Sequence, residues 1–172
     1  MLFRSEAFIA ALPRLKELPI QIVHQCGAAD CERVTAAYAE HGVEATVIEF
    51  EPDMPSRYRW ADIAVCRAGA LTVAELALAG LPALLVPYPF AADDHQSANA
   101  RAMELAGAAQ LLQNLGLAGE RAELLYEALA KLLASPETLV AMGTAALERA
   151  RPDAAVRIAD ACAGALRGGS DS

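Results

Sequence analysis

The sequence predicts an α/β domain of the Rossmann-like kind, a parallel sheet with helices on both faces. Three observations carry that prediction. Short apolar runs alternate with helical stretches along the first two thirds of the chain. The runs, such as Ala83-Leu84-Leu85-Val86, are too apolar to leave one face wet, which is how strands read when both faces are covered. At 172 residues and 55% hydrophobic, the chain has material for one core and little for two.

Each element follows from local chemistry. Apolar residues at i, i+3 and i+4 predict a helix over Ser5–Lys16, with Ser5 as N-cap and Pro13 as a point where it could stop early. Ile20–Gln25 is a β-branched strand ending at Cys26-Gly27. Asp30–His41 is helical, with His41 a cation at its end and Gly42 its C-terminal cap. Ala45–Phe50 is a second strand; Pro52 and Pro55 enclose a loop, and a short helix around Tyr58 leads to the strand Asp62–Cys66. A helix over Leu71–Ala79 ends at Gly80, and the strand Ala83–Val86 follows. After a loop over Pro87–Asp94 come a helix over Asp94–Leu105 and a last strand over Ala108–Leu112. Helices over Glu120–Ala134, Pro136–Ala150 and Asp153–Leu166 complete the chain, the second opened by a Ser135 cap and Pro136 at its first position. This makes one domain over residues 1–166 and a disordered tail over 167–172.

Composition excludes several functions. Fourteen Lys plus Arg against 22 Asp plus Glu leave a net charge of −8, which repels a bare polyanion, so nucleic acid is not the expected ligand. Aromatic residues at 5% offer no platform for stacking bases. The most apolar stretch, Leu76–Ala92, is broken by Gly80-Leu81-Pro82, Pro87 and Pro89, so no membrane-spanning helix is expected there. Glu6 interrupts the apolar part of the N-terminus, which is not read as a secretory signal, so the expected address is the cytosol. Cys26, Cys31, Cys66 and Cys162 form no CxxC pair and read as buried free thiols, not as a zinc site or disulfide frame.

In such sheets ligands sit beyond the carboxyl ends of the strands, so the loops after them are the places to search. Arg67-Ala68-Gly69-Ala70-Leu71-Thr72 joins an apolar strand to an apolar helix. Gly69 permits close backbone approach, and the N–H groups of Ala70, Leu71 and Thr72 suit a phosphate; the same residues also make a plain tight turn. Glu75, one turn further, either complements the helix dipole or accepts hydrogen bonds from a ligand diol. In Asp93-Asp94-His95-Gln96-Ser97-Ala98-Asn99, His95 and Asn99 share a helix face with Gln96 beside them, which suits a small polar ligand such as a sugar; the alternative is a capping sequence with Asp94 as N-cap. Asp93, Asp94 and His95 supply too few ligands for a metal.

These loops carry a resemblance. The run ADIAVCRAGALTVAELALAGLPALLVPYPFAADDHQSANA, from Ala61 to Ala100, resembles the nucleotide-sugar-binding half of the MurG family. That family adds N-acetylglucosamine to undecaprenyl-diphospho-muramoylpentapeptide in peptidoglycan synthesis. The RxGAxTxxE pattern, the Gly-Leu-Pro-Ala strand entry and the HQxxNA helix occur in family order; HQCG at His24–Gly27 and FEPDM at Phe50–Met54 look like the two preceding loops.

The resemblance implies the C-terminal half of a GT-B fold and an inverting transfer from UDP-N-acetylglucosamine without a catalytic metal or other cofactor. It places the backbone around Phe50 and Glu51 against the uracil and Glu75 against the ribose hydroxyls. The N–H groups of Ala70, Leu71 and Thr72 in the Arg67–Gly69 turn would hold the diphosphate, while His95, Gln96 and Asn99 would face the sugar, with Gln25 lining the same cleft. Family members begin this domain with a strand and a phosphate loop, preceded by an acceptor domain. Here the first strand is expected to be missing, and the catalytic base and the lipid-linked acceptor's site belong to the absent half. The whole enzyme would sit peripherally on the cytoplasmic side of the bacterial membrane, and this part alone would be soluble and inactive. A donor-binding subunit of a split UDP-N-acetylglucosamine transferase is the alternative. Cys26 places a thiol where the family has Ser or Thr.

Overall fold

The computed structural model describes residues 3–87, 94–112 and 118–168. Along the chain these form α1 (Phe3–Leu15), β1 (Ile22–Gln25), a 3-10 turn at Ala28–Asp30, α2 (Cys31–His41), β2 (Ala45–Ile48), α3 (Met54–Trp60) and β3 (Ala64–Cys66). The chain continues through α4 (Ala70–Ala79), β4 (Ala83–Leu85), α5 (His95–Leu105), β5 (Ala109–Leu111), α6 (Ala118–Leu133), α7 (Pro136–Arg149) and α8 (Ala154–Gly168). The expected alternation of strand and helix is present. The last two residues of α8, 167–168, belong to the tail predicted as disordered, and 169–172 lie outside the described residues.

All strand pairs are parallel, but they fall into two half-sheets, β2-β1 and β3-β4-β5. In the first, Ile22 lies opposite Ala45 and Gln25 opposite Ile48; Cys26 N–H then donates to Ile48 O at 3.0 Å and Gly27 N–H to Glu49 O at 3.1 Å. In the second, Val86 N–H donates to Cys66 O at 2.8 Å and Leu112 N–H to Leu85 O at 2.9 Å. A doubly wound sheet has the order 3-2-1-4-5-6. The half-sheets match the pair 3-2 and the triplet 4-5-6 on either side of position 1, and among the described residues no strand lies between β1 and β3.

Period-two alternation builds a core on each face. Ile63 and Val65 of the β3 segment and Leu84 and Val86 of the β4 segment point to Leu12 and Leu15 of α1, Val34 and Tyr38 of α2 and Leu125 and Leu129 of α6. Their neighbours Ala64, Cys66, Ala83 and Leu85 point to Leu76 of α4, Ala100 and Met103 of α5 and Ala146 of α7. Small residues let the second face pack closely. A Cβ on Gly143 of α7 would stand 2.7 Å from Gly80 O, so α4 and α7 touch through backbone. Gly80 closes α4 at φ 63°, a left-handed conformation that favours glycine.

Several local expectations change. Ser5 is not an N-cap: it lies inside α1, buried, and its Oγ meets His24 Nε2 at 3.3 Å. Pro13 does not stop α1: it forgoes the one bond back to the Ile9 carbonyl in the preceding turn, and the helix ends two residues later at Leu15. Pro55 stands in the first turn of α3 instead of a loop, where a missing N–H costs nothing. Ser135 occupies the cap position of α7, but its hydroxyl meets Glu137 and Thr138 side chains and caps no backbone N–H. The thiols are free, yet Cys162 is exposed on α8 and the other three are half-buried, so the expectation of four buried cysteines fails.

Candidate functional site

Three loops meet at the carboxyl ends of the strands. Gln25 closes β1, Phe50 and Glu51 follow β2, and Arg67 follows β3; together with Thr72 and Glu75 of α4 they line one cavity of about 490 Å³. The cavity runs from these loops back between β1 and β3, along residues 20–25 and 63–67. The parallel register explains the convergence, since strands running the same way release all their following loops at one edge.

The loop after β2 is fixed by its own carboxylates. Asp53 caps α3, accepting from Ser56 N–H at 3.1 Å. One turn along, Arg57 returns its Nε to Glu51 Oε2, and Asp53 N–H donates to Glu51 Oε1 at 3.0 Å. The Arg57 contact, then the Asp53 N–H, hold the Glu51 carboxyl below the usual range. Its side chain is thereby held by the loop; Glu51 and Phe50 both line the cleft, Glu51 buried and Phe50 72% exposed.

Gly69 is the N-cap of α4 in an extended conformation and brings no side-chain hydrogen bond to the first turn. The N–H groups of Ala70, Leu71 and Thr72 therefore begin a ten-residue helix whose cap contributes no competing oxygen. Glu75, exposed at the cavity, accepts from Tyr58 OH at 2.7 Å. Burial, and then the Glu75 hydrogen bond, push the Tyr58 phenol upward, so it stays a donor at neutral pH.

The α5 residues occupy a second position. Asn99 Nδ2 donates to Ala68 O at 3.0 Å, tying α5 to the turn beside Gly69. His95 is exposed and Gln96 half-buried on the first turn of α5, outside the lining of the cavity. Asp94 precedes them at φ 53°, and its side chain caps no backbone N–H, unlike the capping alternative. Asp93 lies outside the described residues. Among the described residues, no three His, Cys, Asp or Glu side chains are grouped as a metal site would need. Cys26, at the position expected to hold a hydroxyl, donates its Sγ to Ile48 O at 3.3 Å and braces β1 against β2; burial, then Cys31, push its thiol up to about 11.

Sequence reasoning missed Arg57 and Tyr58, which hold the two acidic residues of the cleft. The signal was present in Asp53-Met54-Pro55, a cap followed by an early helical proline that starts α3 and places positions 57 and 58 one turn on.

Residues 4–158 match the model of the glycosyltransferase family 28 C-terminal domain. The chain belongs to that family. Among its relatives, UDP-N-acetylglucosamine--N-acetylmuramyl-(pentapeptide) pyrophosphoryl-undecaprenol N-acetylglucosamine transferase of Nitratidesulfovibrio vulgaris (strain Miyazaki F) is 46% identical over 95% of this chain and 44% of its own length. The enzyme of the same name from Hahella chejuensis is 49% identical over 90% of this chain and 41% of its own. The crystal structure of Acinetobacter baumannii MurG superposes with a TM-score of 0.78 at 38% identity, covering 91% of this chain and 44% of that one. A spinosyn rhamnosyltransferase, at 21% identity and a TM-score of 0.63 over 89% of this chain and 40% of its own, shares the fold. The family 28 chain thus spans less than half the length of these relatives, and its fold is that of the C-terminal half of a GT-B glycosyltransferase. None of its described helices is long and apolar enough to cross a membrane.

Proposed function

We propose that this chain is the donor-binding part of an inverting transferase that moves N-acetylglucosamine from UDP-N-acetylglucosamine to a lipid-linked muramoylpentapeptide at the cytoplasmic face of the membrane. The observation that carries the proposal is the convergence of Gln25, Phe50, Glu51, Arg67, Thr72 and Glu75 on one cavity beside the open first turn of α4. The names of the relatives supply the donor and acceptor.

In this reading the first-turn N–H groups of Ala70, Leu71 and Thr72 neutralise the diphosphate, and with it the charge that grows as UDP departs. Glu75 takes the two ribose hydroxyls, with Tyr58 OH holding its carboxylate in place. The backbone of residues 50–51, stiffened by Glu51 and Arg57, meets the uracil. Arg67 and Gln25 line the donor cleft, and His95, Gln96 and Asn99 face the sugar. The catalytic base and the acceptor site belong to the rest of the enzyme, whose membrane contact is peripheral.

The test is binding. Saturating UDP should raise the melting midpoint, and Glu75→Ala should weaken UDP about tenfold while leaving 2′,3′-dideoxy-UDP unchanged. A folded sample whose midpoint ignores millimolar UDP would remove the donor site, and equal losses for both nucleotides would remove the ribose assignment.

A further inference from the structure

Two of the four thiols flank one turn. Cys26 follows β1 and Cys31 is the first residue of α2, with Gly27–Asp30 between them. Gly27 stands at φ 81°, where other residues are strained, and Asp30 N–H donates back to Gly27 O at 3.2 Å. A turn closed in this way folds the chain on itself, so the residues just outside it come together although four residues separate them in sequence. The side chains complete the approach. The Cys26 thiol donates to Ile48 O at 3.3 Å, and its sulfur neighbour is Cys31: after burial, the hydrogen bond with that thiol does most to push Cys26 up. Asp30 stands beside the pair and is itself held by Arg33 at 3.2 Å. Both thiols are half-buried, unbridged and outside the lining of the donor cavity. Among the described residues no third ligand joins them as a metal would need, so the chemistry open to them is that of two sulfurs with each other.

We propose that the turn after β1 holds Cys26 and Cys31 as a dithiol that closes to a reversible disulfide when it meets a small oxidised disulfide such as oxidised glutathione. The Cys31 thiol gives up its proton, and its sulfur attacks one glutathione sulfur. A mixed disulfide forms, and the glutathione thiolate that leaves takes up that proton. The Cys26 thiol then gives up its own proton and attacks the Cys31 sulfur; the new bond expels the second glutathione, which is protonated in turn. Two protein thiols are oxidised by two electrons, and one oxidised glutathione is reduced to two thiols. Cys31 attacks first because the Cys26 proton is engaged by Ile48 O. The fold tolerates the product. Ile48 O loses the thiol donor but keeps Cys26 N–H at 3.0 Å, so the end of the β1–β2 ladder stays closed. The proposal involves neither the donor cavity nor its ligand.

The test equilibrates the reduced 172-residue chain with glutathione buffers of graded ratio, quenches in acid, blocks the remaining thiols with N-ethylmaleimide and digests with trypsin. Cleavage after Lys16 and Arg33 leaves both cysteines on one peptide, 17–33, which is lighter by two hydrogen atoms when they join. In the folded chain the bond should form at a ratio of reduced to oxidised glutathione roughly tenfold higher than in the chain unfolded by urea, because the turn brings the sulfurs together before they react. By linkage, the oxidised chain should unfold at higher urea than the reduced one. Cys31→Ser should leave peptide 17–33 with no internal bond and at most one glutathione, on Cys26. Equal ratios for the folded and unfolded chain would mean that sequence spacing alone joins the pair, and would overturn the proposal. Glutathione on both cysteines without an internal bond would overturn it too, as would an oxidised chain that unfolds at lower urea.

Discussion

The strand inside its half-sheet, β4, and the two strands that face the gap, β1 and β3, reach different degrees of enclosure. Ala83, Leu84 and Leu85 of β4 are 0% exposed, because β3 and β5 flank them and helices cover both faces. Ile22 and Val23 of β1 are only half-buried, as are Ala64, Val65 and Cys66 on the facing edge. Hydrophobicity nominates a strand for the interior, and its neighbours on each side decide whether it gets there. The loop ends show the opposite contrast. The β2 side is stiffened by Glu51, Asp53 and Arg57, while the β3 side offers an uncapped helix start.

The largest expected effect probes that enclosure directly. Leu84→Ala should lower stability by about 3 kcal/mol, through lost burial and a cavity that close packing cannot fill, whereas Val23→Ala should lower it by about 1 kcal/mol. Urea unfolding midpoints measure both; equal losses would mean that the gap is shut in solution. Next comes the close contact of the enclosed half. Gly143→Ala drives a methyl into the Gly80 carbonyl and should cost about 2 kcal/mol by forcing α7 off α4. The same substitution at Gly164 of α8, where nothing lies within 4 Å, is the control and should be neutral or slightly stabilising.

The enclosed half was also the more legible one. Ala83-Leu84-Leu85-Val86 reads as a buried strand because nothing in it tolerates water, and Gly42 and Gly80 read as helix ends because each stands after an apolar helical stretch; both adopt φ near 65°. The loops that carry Gln25, Phe50, Glu51 and Arg67 were readable as a set, since a parallel sheet sends every βα loop to one edge, but Gln25, Phe50 and Glu51 themselves were singled out only by the resemblance. What stayed hidden were partnerships between distant residues. Ser5 looks like a cap because local sequence shows a hydroxyl before a helical run, but its partner, His24, is 19 residues away and is itself held at Nδ1 by Tyr38 OH at 3.1 Å. Tyr58 reaches Glu75 across 17 residues and Asn99 reaches Ala68 across 31, pairings that packing decides and periodicity does not.

Asn99 sharpens the comparison at the loops. Its amide fastens the β3 turn to α5, so Asn99→Ala should loosen that turn and lower stability by about 1 kcal/mol, leaving a buried carbonyl acceptor without this donor. UDP affinity should fall a few-fold through the misplaced first turn of α4, measured by calorimetry. Asn99→Asp keeps the shape but exchanges the donor for an acceptor facing Ala68 O, and should be worse than alanine.

The smallest expected effect belongs to the stiffened side and depends on pH. Glu51 has a folded pKa held below its ordinary value of 4.5 by Arg57 and then by Asp53 N–H. A depressed carboxylate contributes stability that is fully present above its unfolded pKa and is lost as pH falls through the folded one. Glu51→Gln removes that titration. The stability difference between the parent chain and the variant should therefore stay constant from pH 7 down to about 5 and shrink below 4.5, as protonation takes from the parent what the substitution has already taken from the variant. Urea midpoints at each pH test it. A difference that widens in acid would mean that Glu51 is better held when neutral, and that the loop after β2 owes its order to packing instead of the Arg57 pair.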